Sequence, residues 1–310
     1  MKRIIYLENM SAWGKLFLLI SLIILSSLFT AFFGLLAGKL YFNVDLSTLS
    51  SFIEDPQSAK AIGFVKFYQL LNQIGVFIIP VIVLSFLVSP SITNYLDLHK
   101  KPGLMALLIS GLIIYTVLPF NHYLLTLNQG IDFPAWFSGI ENWMIDYEAK
   151  AETLTKAFLT TDSVYVLGIN LIIVALIPAV GEEWLFRGVL LKLFKQITGN
   201  YHWSILITAI LFAALHLQFL SLFPRILLGL ILGYLFVLTR SLWVPIFAHF
   251  VNNASSVIIF YLHYNGKLKV SVDDFGASSS LVYIIGSFLI TAWLLVILMN
   301  RERMDFKEIK

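Results

Sequence analysis

Eight stretches of this chain are apolar over the length that an α-helix needs to cross a lipid bilayer, which is about 20 residues. Backbone groups inside lipid must be hydrogen-bonded within their own segment, and the stretches lack the alternating polar pattern of a membrane-spanning β-barrel. The sequence therefore predicts an all-α fold, a polytopic transmembrane helical bundle of about eight spans. The candidate spans cover roughly 16–38, 67–88, 104–125, 164–181 with an extension, 202–218, 224–239, 242–263 and 281–299.

The composition supports a membrane protein and excludes several other classes. The 310 residues are 59% hydrophobic and 13% charged, whereas a soluble domain carries about 25% charged residues. We therefore expect a multi-pass protein of the cell membrane, in contact with lipid. The net charge of +3 gives no reason to expect a nucleic-acid partner, and the lack of cysteine in the sequence excludes disulfides and thiolate metal sites.

The positions of lysine and arginine predict the orientation, because cytoplasmic segments of membrane proteins are enriched in them. If the N-terminus is inside, 13 of the 21 basic residues fall in short inner segments, and the others are spread over longer outer loops. The outer loop 126–163 carries six acidic residues and two lysines. We therefore expect both termini to be cytoplasmic. The inner basic residues are Lys2, Arg3, Lys15, Lys100, Lys101, Arg187, Lys192, Lys195, Arg240, Arg301, Arg303, Lys307 and Lys310.

Three regions divide the chain. Residues 1–163 hold the N-terminal transmembrane helices and the acidic outer loop, residues 164–263 form a core in which polar residues interrupt apolar runs, and residues 264–310 hold the last helix and a basic cytoplasmic tail. The core begins with a run, 164–198, that is too long for one upright span. Pro178 within this run predicts a kink or break.

Two adjacent glutamates, Glu182 and Glu183, interrupt the core. Ionisable residues in a membrane segment are costly and indicate a functional site. Glu183 and Arg187 are four residues apart, so on a helix they share a face and can pair, whereas Glu182 is rotated by about 100°. We interpret Glu183 as held in its ionised form by Arg187, with Glu182 left for chemistry. The alternative is that both carboxylates are structural and that Arg187 neutralises the pair.

Two histidines, His216 and His249, recur in later apolar runs. Glu182 precedes the turn at Gly199 by 17 residues and His216 follows it by 17, so an antiparallel helical pair would bring both to a depth of about 25 Å. Arg240 marks the predicted cytoplasmic end of the next helix, and His249 follows it by nine residues. His249 would therefore lie about 13 Å along that helix from the cytoplasmic end. This mismatch shrinks if the helix that carries Glu182 tilts, and we expect the three side chains to converge.

The chemistry of this set fits hydrolysis of an amide bond. A carboxylate beside a histidine can hold and deprotonate a water molecule. His249 and Asn253 share a helical face and offer donors for an oxyanion, and one such donor is worth about 3 kcal/mol in the transition state. Alternatively, Glu182, His216 and His249 match the ligands of a catalytic zinc site. The sequence leaves the cofactor open between a divalent metal such as zinc and none.

The core resembles the CPBP intramembrane proteases, the family of the CAAX prenyl endopeptidases and of the bacterial Abi proteins tied to bacteriocin processing and self-immunity. The resemblance covers about 164–263 and rests on three motifs in this order: Glu182-Glu183-x-x-x-Arg187, Phe212-x-x-x-His216 and His249-x-x-x-Asn253. Members of the family have been described as metalloproteases, and a metal-free glutamate mechanism has also been argued.

The resemblance implies a role for each motif position. Glu182 and His216 would activate the attacking water, and His249 and Asn253 would stabilise the oxyanion. The supporting residues would be Glu183, Arg187 and Phe212. The core at 164–263 would then be the catalytic core of the protein.

We therefore predict an intramembrane endopeptidase that cleaves a peptide or protein substrate near the cytoplasmic side of the membrane. Whether the substrate is itself anchored in the membrane is left open. One alternative is a non-enzymatic immunity or scaffold protein of the same fold. Another is a proton-coupled transporter in which Glu182 and His216 form a relay. Many transporters have an internal repeat that relates the two halves of the chain, and this sequence shows no such repeat.

Other polar residues receive a structural interpretation. Asn121 and His122, near the end of the third span, are expected to face the acidic loop. Arg225 is expected to extend outward from the start of the sixth span. Trp136 and Trp143 fit an amphipathic helix on the outer leaflet, and a plain ordered loop fits them equally well.

Overall fold

A computed structural model of the chain describes residues 7–43 and 59–303. Within these residues the structure is all-helical and contains no strand, which confirms the predicted fold class. The main helices are α1 (Ala12–Phe42), α2 (Lys60–Val88), α3 (Leu104–Thr116), α4 (Leu118–Gln129), α5 (Ser138–Leu159), α6 (Val164–Thr198), α7 (Tyr201–Leu215), α8 (Phe219–Thr239), α9 (Trp243–Tyr264) and α10 (Leu281–Arg301).

Six of these helices (α1, α2, α6, α8, α9 and α10) are long and apolar enough to cross a membrane, so the chain is a multi-pass membrane protein. A seventh span results if α3 and α4, which meet at a bend of 42°, are counted together. The apolar run predicted at 202–218 forms only the 15-residue helix α7, about 22 Å long, whereas the hydrocarbon core is about 30 Å thick. The predicted number of about eight spans is therefore not confirmed.

Three π-helical turns interrupt two of the long helices, at Ile74–Ile78 in α2 and at Leu171–Leu176 and Trp184–Leu190 in α6. The first two end just before Pro80 and Pro178, respectively. A proline ring clashes with the carbonyl four residues earlier, and a wide π turn at that point accommodates it within the helix. Helix α6 therefore continues through Pro178, and the break predicted there is absent.

One face of the bundle, called the terminal face, holds the start of α1, the end of α10 and the connections 89–103, 199–200 and 240–242. Polar contacts join the connection 89–103 to α6 and to the connection 240–242. Lys192 Nζ lies 2.7 Å from Asp97 Oδ2, and the Ser241 hydroxyl donates to the Lys100 carbonyl at 2.6 Å. The predicted cytoplasmic side corresponds to this terminal face, and its orientation in the membrane stays a prediction.

The opposite face, called the loop face, holds α5 and the connections 216–218 and 265–280. Part of the acidic loop forms the 22-residue helix α5, on which Trp143 is half-exposed, so a plain loop is wrong for Trp143. Trp136 lies just before α5, in the short 3₁₀ turn Ala135–Phe137. Glu148 of α5 accepts hydrogen bonds from Leu220 N at 3.0 Å and from the Ser221 hydroxyl at 3.2 Å. These contacts fix α5 against the connection between α7 and α8.

Helices α7 and α8 pack with their backbones in close approach. A Cβ atom placed on Gly229 of α8 would lie 2.9 Å from the Cα atom of Ala209 of α7. Small residues at a helix interface allow such packing inside membranes. The close approach also leaves the Gly229 carbonyl facing the glutamate-bearing helix α6, where it accepts a hydrogen bond from Arg187.

Candidate active site

A fully buried ion pair joins α6 to its neighbours. Arg187 Nη1 donates to Glu183 Oε1 at 2.7 Å, so the predicted pairing is present, and Arg187 Nη2 donates to the Gly229 carbonyl of α8 at 2.7 Å. His249 Nδ1 of α9 lies 2.9 Å from the same Glu183 oxygen. A carboxylate only accepts hydrogen bonds, so His249 donates from Nδ1. Glu183 and Arg187 thus hold α6, α8 and α9 together at the centre of the bundle.

His216, immediately after α7, is oriented in a similar way. Its Nδ1 lies 2.7 Å from the Phe212 carbonyl, which can only accept, so Nδ1 again carries the proton. Both imidazoles therefore turn Nε2 towards Glu182 of α6. Each Nε2 lies 3.9 Å from Glu182 Oε2, which is longer than a direct hydrogen bond and within the span that one water molecule bridges.

Glu182 differs from Glu183 in its partners. Its side chain is buried, and its Oε2 has no hydrogen-bond partner within residues 7–43 and 59–303. Glu183 Oε2 is likewise buried without a partner in the described residues, so the difference between the two carboxylates lies in the groups around them. The geometry therefore separates the two carboxylates, because one is held by a cation and an imidazole and the other faces two imidazole nitrogens.

Phe212 packs at the centre of this arrangement. Its ring centroid lies 4.8 Å from that of His216 and 5.7 Å from that of His249, and the Arg187 guanidinium lies 5.1 Å from it. A cation over an aromatic face is attracted by the ring. Phe212 therefore fixes the spacing of the two imidazoles and contributes to the environment of the buried arginine.

Asn253 lies one turn beyond His249 on α9. Its Nδ2 donates to the Val174 carbonyl at 3.5 Å, which is long, and its Oδ1 accepts from Asn252 Nδ2 at 3.0 Å. The amide nitrogen is thus weakly engaged, which leaves Asn253 able to donate to another group.

A cavity of about 560 Å³ connects the four predicted catalytic residues, because Glu182, His216, His249 and Asn253 all line it. Its further lining includes residues that the sequence did not assign to a site. Asn121, His122 and Arg225 were expected to face the acidic loop or the outside, and they line the cavity instead. Together with Ser221 and Asp273 they form its wall towards the loop face.

The cavity extends towards the loop face and away from the terminal face. Its lining takes residues 118–125 of α4, the loop-face half of α8 and residues 272–275 of the connection before α10. It includes none of the described connections of the terminal face. The sequence predicted cytoplasmic termini together with substrate access from the cytoplasmic half. The start of α1 and the end of α10 lie on the terminal face, whereas the lining of this cavity reaches the loop face, so the described residues do not bring the two expectations to one side.

Gln73 of α2 is a site residue that the sequence analysis missed. Its side chain hydrogen-bonds to Glu182, and since the carboxylate accepts, the amide donates. Its Oε1 is buried and unpartnered within the described part of the chain, and the side chain lines the cavity beside Gln69, one turn away. The available signal was the pair of amides Gln69 and Gln73, which have helical spacing in a span that also carries Asn72 and Lys66.

The donor types of the site match a catalytic zinc set, since two imidazole nitrogens and one carboxylate oxygen face each other. Their arrangement does not match one. Among the residues that the structure describes, no group of three histidine, aspartate or glutamate side chains is placed so that it could hold a metal ion. The residues as arranged do not fit a metal, and the chemistry below is derived from the side chains of the chain itself.

Comparisons with known proteins agree with the motifs. Residues 165–255 match the family model of the "Type II CAAX prenyl endopeptidase Rce1-like" proteins. The chain is 28% identical over 105 residues to the protein named "Putative membrane peptidase YdiL" of Bacillus subtilis (strain 168). That match covers 34% of this chain and 42% of the relative, so the chain spans less than half of it. No solved structure matches the chain.

The matched segment contains every residue of the three motifs, from Glu182 to Asn253. It does not include Gln73, which reaches the site from α2. The resemblance to the CPBP intramembrane proteases is therefore confirmed, and the segment that carries it is the one that builds the buried glutamate and histidine site.

Proposed function

We propose that this protein is an intramembrane endopeptidase of the CAAX-protease type, acting on peptide or protein substrates. The observation that carries the proposal is the convergence of two imidazole Nε2 atoms on Glu182 Oε2, each at 3.9 Å, inside a cavity of about 560 Å³. Helices α6 and α9 and the residue after α7 contribute to this point. A water molecule held there would be close to both a base and the carbonyl group of a bound peptide.

In the proposed mechanism Glu182 is the general base. Water bound between Glu182 and His216 gives a proton to the carboxylate as its oxygen attacks the peptide carbonyl carbon, and the carbonyl oxygen becomes an oxyanion. Glu182 then returns the proton to the amide nitrogen, the C–N bond breaks, and a carboxylic acid and an amine leave. The atoms balance with one water consumed and with Glu182 regenerated.

The oxyanion requires donors, and His249 and Asn253 are the candidates. Asn253 can donate from Nδ2, which makes only a long hydrogen bond to Val174. His249 can donate from Nε2 only as an imidazolium, because Nδ1 already donates to Glu183. Glu183 stabilises that cation, so its proposed role is to prepare His249 as a donor as well as to pair with Arg187.

The proposal is tested with the full-length protein in lipid nanodiscs, incubated with a library of synthetic peptides. We expect mass spectrometry to detect new termini that are absent with the variant His216→Gln, in which the bridging imidazole is lost. A wild-type protein that binds peptides from this library and cleaves none would contradict the proposal and favour the non-enzymatic alternative.

Gln73 is proposed as a positioning residue that acts through Glu182. We expect Gln73→Leu to lower kcat/KM by about 10- to 100-fold, since a hydrogen bond to a charged group contributes about 1.5–3 kcal/mol. The loss of the donor should also shift the acidic limb of the pH profile, which a purely structural role would not move. Gln69→Leu, one turn away in the same cavity wall, is the matched control and should change neither. Equal effects of the two substitutions contradict the assignment.

We propose the side from which the substrate enters by combining two observations. The cavity extends to the loop face, and the basic residues of the terminal face indicate that this opposite face is cytoplasmic. If both termini are cytoplasmic, the substrate enters from the outer side. The sequence contains no cysteine, so single cysteines can be placed at the exposed residues Lys269 on the loop face and Lys101 on the terminal face. We expect a membrane-impermeant maleimide to label Lys269→Cys in intact cells, and Lys101→Cys only after permeabilisation. The reverse pattern would place the cavity mouth in the cytoplasm.

A further inference from the structure

Arg225 is a cation in the wall of the cavity that the mechanism above does not use. It lies near the loop-face end of α8, is half-buried, and lines the cavity with His216. Its Nη1 donates to the Ser221 carbonyl at 3.2 Å and to the Ser221 hydroxyl, and its Nη2 donates to Gln218 Oε1. All of these acceptors are neutral.

No carboxylate forms an ion pair with Arg225 among the residues that the structure describes. Glu148 accepts from the Ser221 hydroxyl, and both Glu148 and Glu182 attract the guanidinium across space without forming a direct ion pair with it. Asp273 lines the same cavity but is exposed, and Glu182 faces the two histidines. The charge of Arg225 is therefore oriented by its neighbours without being directly paired.

This arrangement points to a ligand group. Charged side chains in membrane segments are rare, are usually paired, and mark substrate pathways. A guanidinium has five N–H donors, and the contacts to Ser221 and Gln218 engage three of them. Two donors remain for a further acceptor, and the planar fork of arginine matches a carboxylate in two parallel hydrogen bonds.

We propose that Arg225 forms a subsite for a carboxylate of the substrate, so that the protein selects peptides with an acidic group next to the cleaved segment. The inference rests on the proposed peptidase function and adds a substrate class to it. The carboxylate comes either from an aspartate or glutamate side chain or from a free C-terminus. Ser221 and Gln218 fix the direction of the guanidinium, and Glu148 fixes Ser221.

Binding can be measured without cleavage in the Glu182→Gln protein in nanodiscs. Four pools of decapeptides serve as probes, with acidic residues present or replaced by their amides, and with a free or an amidated C-terminus. We expect affinity selection followed by mass spectrometry to retain carboxylate-bearing peptides about tenfold better than the neutral pool. The pool that is enriched identifies the source of the carboxylate.

The variant Arg225→Gln in the same background should abolish this preference and leave retention of the neutral pool unchanged. Arg225→Lys keeps the charge without the fork, so it should retain only part of the preference, and it tests the subsite even if the glutamine variant does not fold. Lys269→Gln removes one exposed positive charge from the same face and is the matched control. A preference that persists without Arg225, or that the control abolishes equally, overturns the proposal.

The outcomes for the subsite and for the peptidase are distinct. A carboxylate preference in binding, with no cleavage by the wild-type protein, contradicts the peptidase alone. If the wild-type protein cleaves peptides with and without acidic groups at the same rate, the subsite is contradicted and the peptidase is not.

Discussion

Replacing Glu182 with glutamine is expected to abolish peptide-bond cleavage and to leave the protein folded. The amide has the shape of the carboxylate but cannot take a proton from water, and a general base contributes about 10²- to 10⁴-fold to the rate. Glu182 Oε2 has no hydrogen-bond partner in the described residues, so no direct contact of that atom is lost. The measurements are kcat/KM for a peptide cleaved by the wild-type protein and the midpoint of thermal unfolding in detergent.

The same substitution at the neighbouring Glu183 is expected to have a different effect. Glu183→Gln makes the same chemical change one residue away, but it removes the negative charge that pairs with Arg187 and leaves only a neutral amide oxygen as the acceptor for His249. We expect that variant to lose stability as well as activity. Glu152→Gln on α5, where the carboxylate is 58% exposed, should change neither. If Glu182→Gln cleaves at the wild-type rate, or if the two adjacent variants behave alike, the division of roles is wrong.

Helical geometry explains which parts of the site could be predicted from the sequence. Glu183 and Arg187 pair because residues four apart share a helical face, and this local rule does not depend on the rest of the fold. The meeting of Glu182 and His216 follows from their equal distance from the turn at Gly199. His249 was expected near Glu182, and its Nε2 is there, but its contact with Glu183 through Nδ1 was not predicted. A side-chain direction between two helices depends on their packing, which the spacing in one sequence does not give.

The number of spans could not be read from hydropathy for a related reason. Apolar residues continue from α7 into α8 with few interruptions, and the run looks long enough to cross the bilayer. Helix α7 ends at Leu215, and two residues later, at Leu217, the backbone is left-handed with φ 51°. This short helix ends inside the bundle and brings His216 to the cavity instead of carrying it to the surface.

Gln73 and Arg225 were missed or misplaced because the sequence gives no direction for a single polar side chain. Charged residues inside a predicted span are the ones that a sequence singles out as candidates for a functional site, and the amide of Gln73 is neutral. It also assumes that an arginine near a helix end extends to the interface, whereas Arg225 is turned inward by Ser221 and Gln218. The helix α2 lies outside the segment that resembles known peptidases, so only the three-dimensional arrangement connects it with the site.

Replacing Arg187 with alanine is expected to lower the free energy of unfolding by about 3–5 kcal/mol, the usual effect of breaking a buried ion pair from one side. Arg187 and Glu183 are both 0% exposed, and the substitution strands the carboxylate and leaves the Gly229 carbonyl without this donor. Thermal unfolding in detergent measures the loss. Lys156→Ala is a matched control, because Lys156 pairs with Glu152 at the same spacing on α5 but is 59% exposed, and an exposed pair contributes about 0.3–0.5 kcal/mol.

A double substitution separates the stabilising role of the ion pair from its role in catalysis. Replacing a buried pair by apolar residues of similar size is often neutral for stability, so Glu183→Leu with Arg187→Met should recover much of the stability that Arg187→Ala loses. Cleavage should stay absent, because His249 no longer has an acceptor for its Nδ1 proton and loses its means of becoming a donor to the oxyanion. If Arg187→Ala unfolds at the wild-type temperature, the pair does not stabilise the bundle. If the double variant regains activity, Glu183 acts on the fold alone and not through His249.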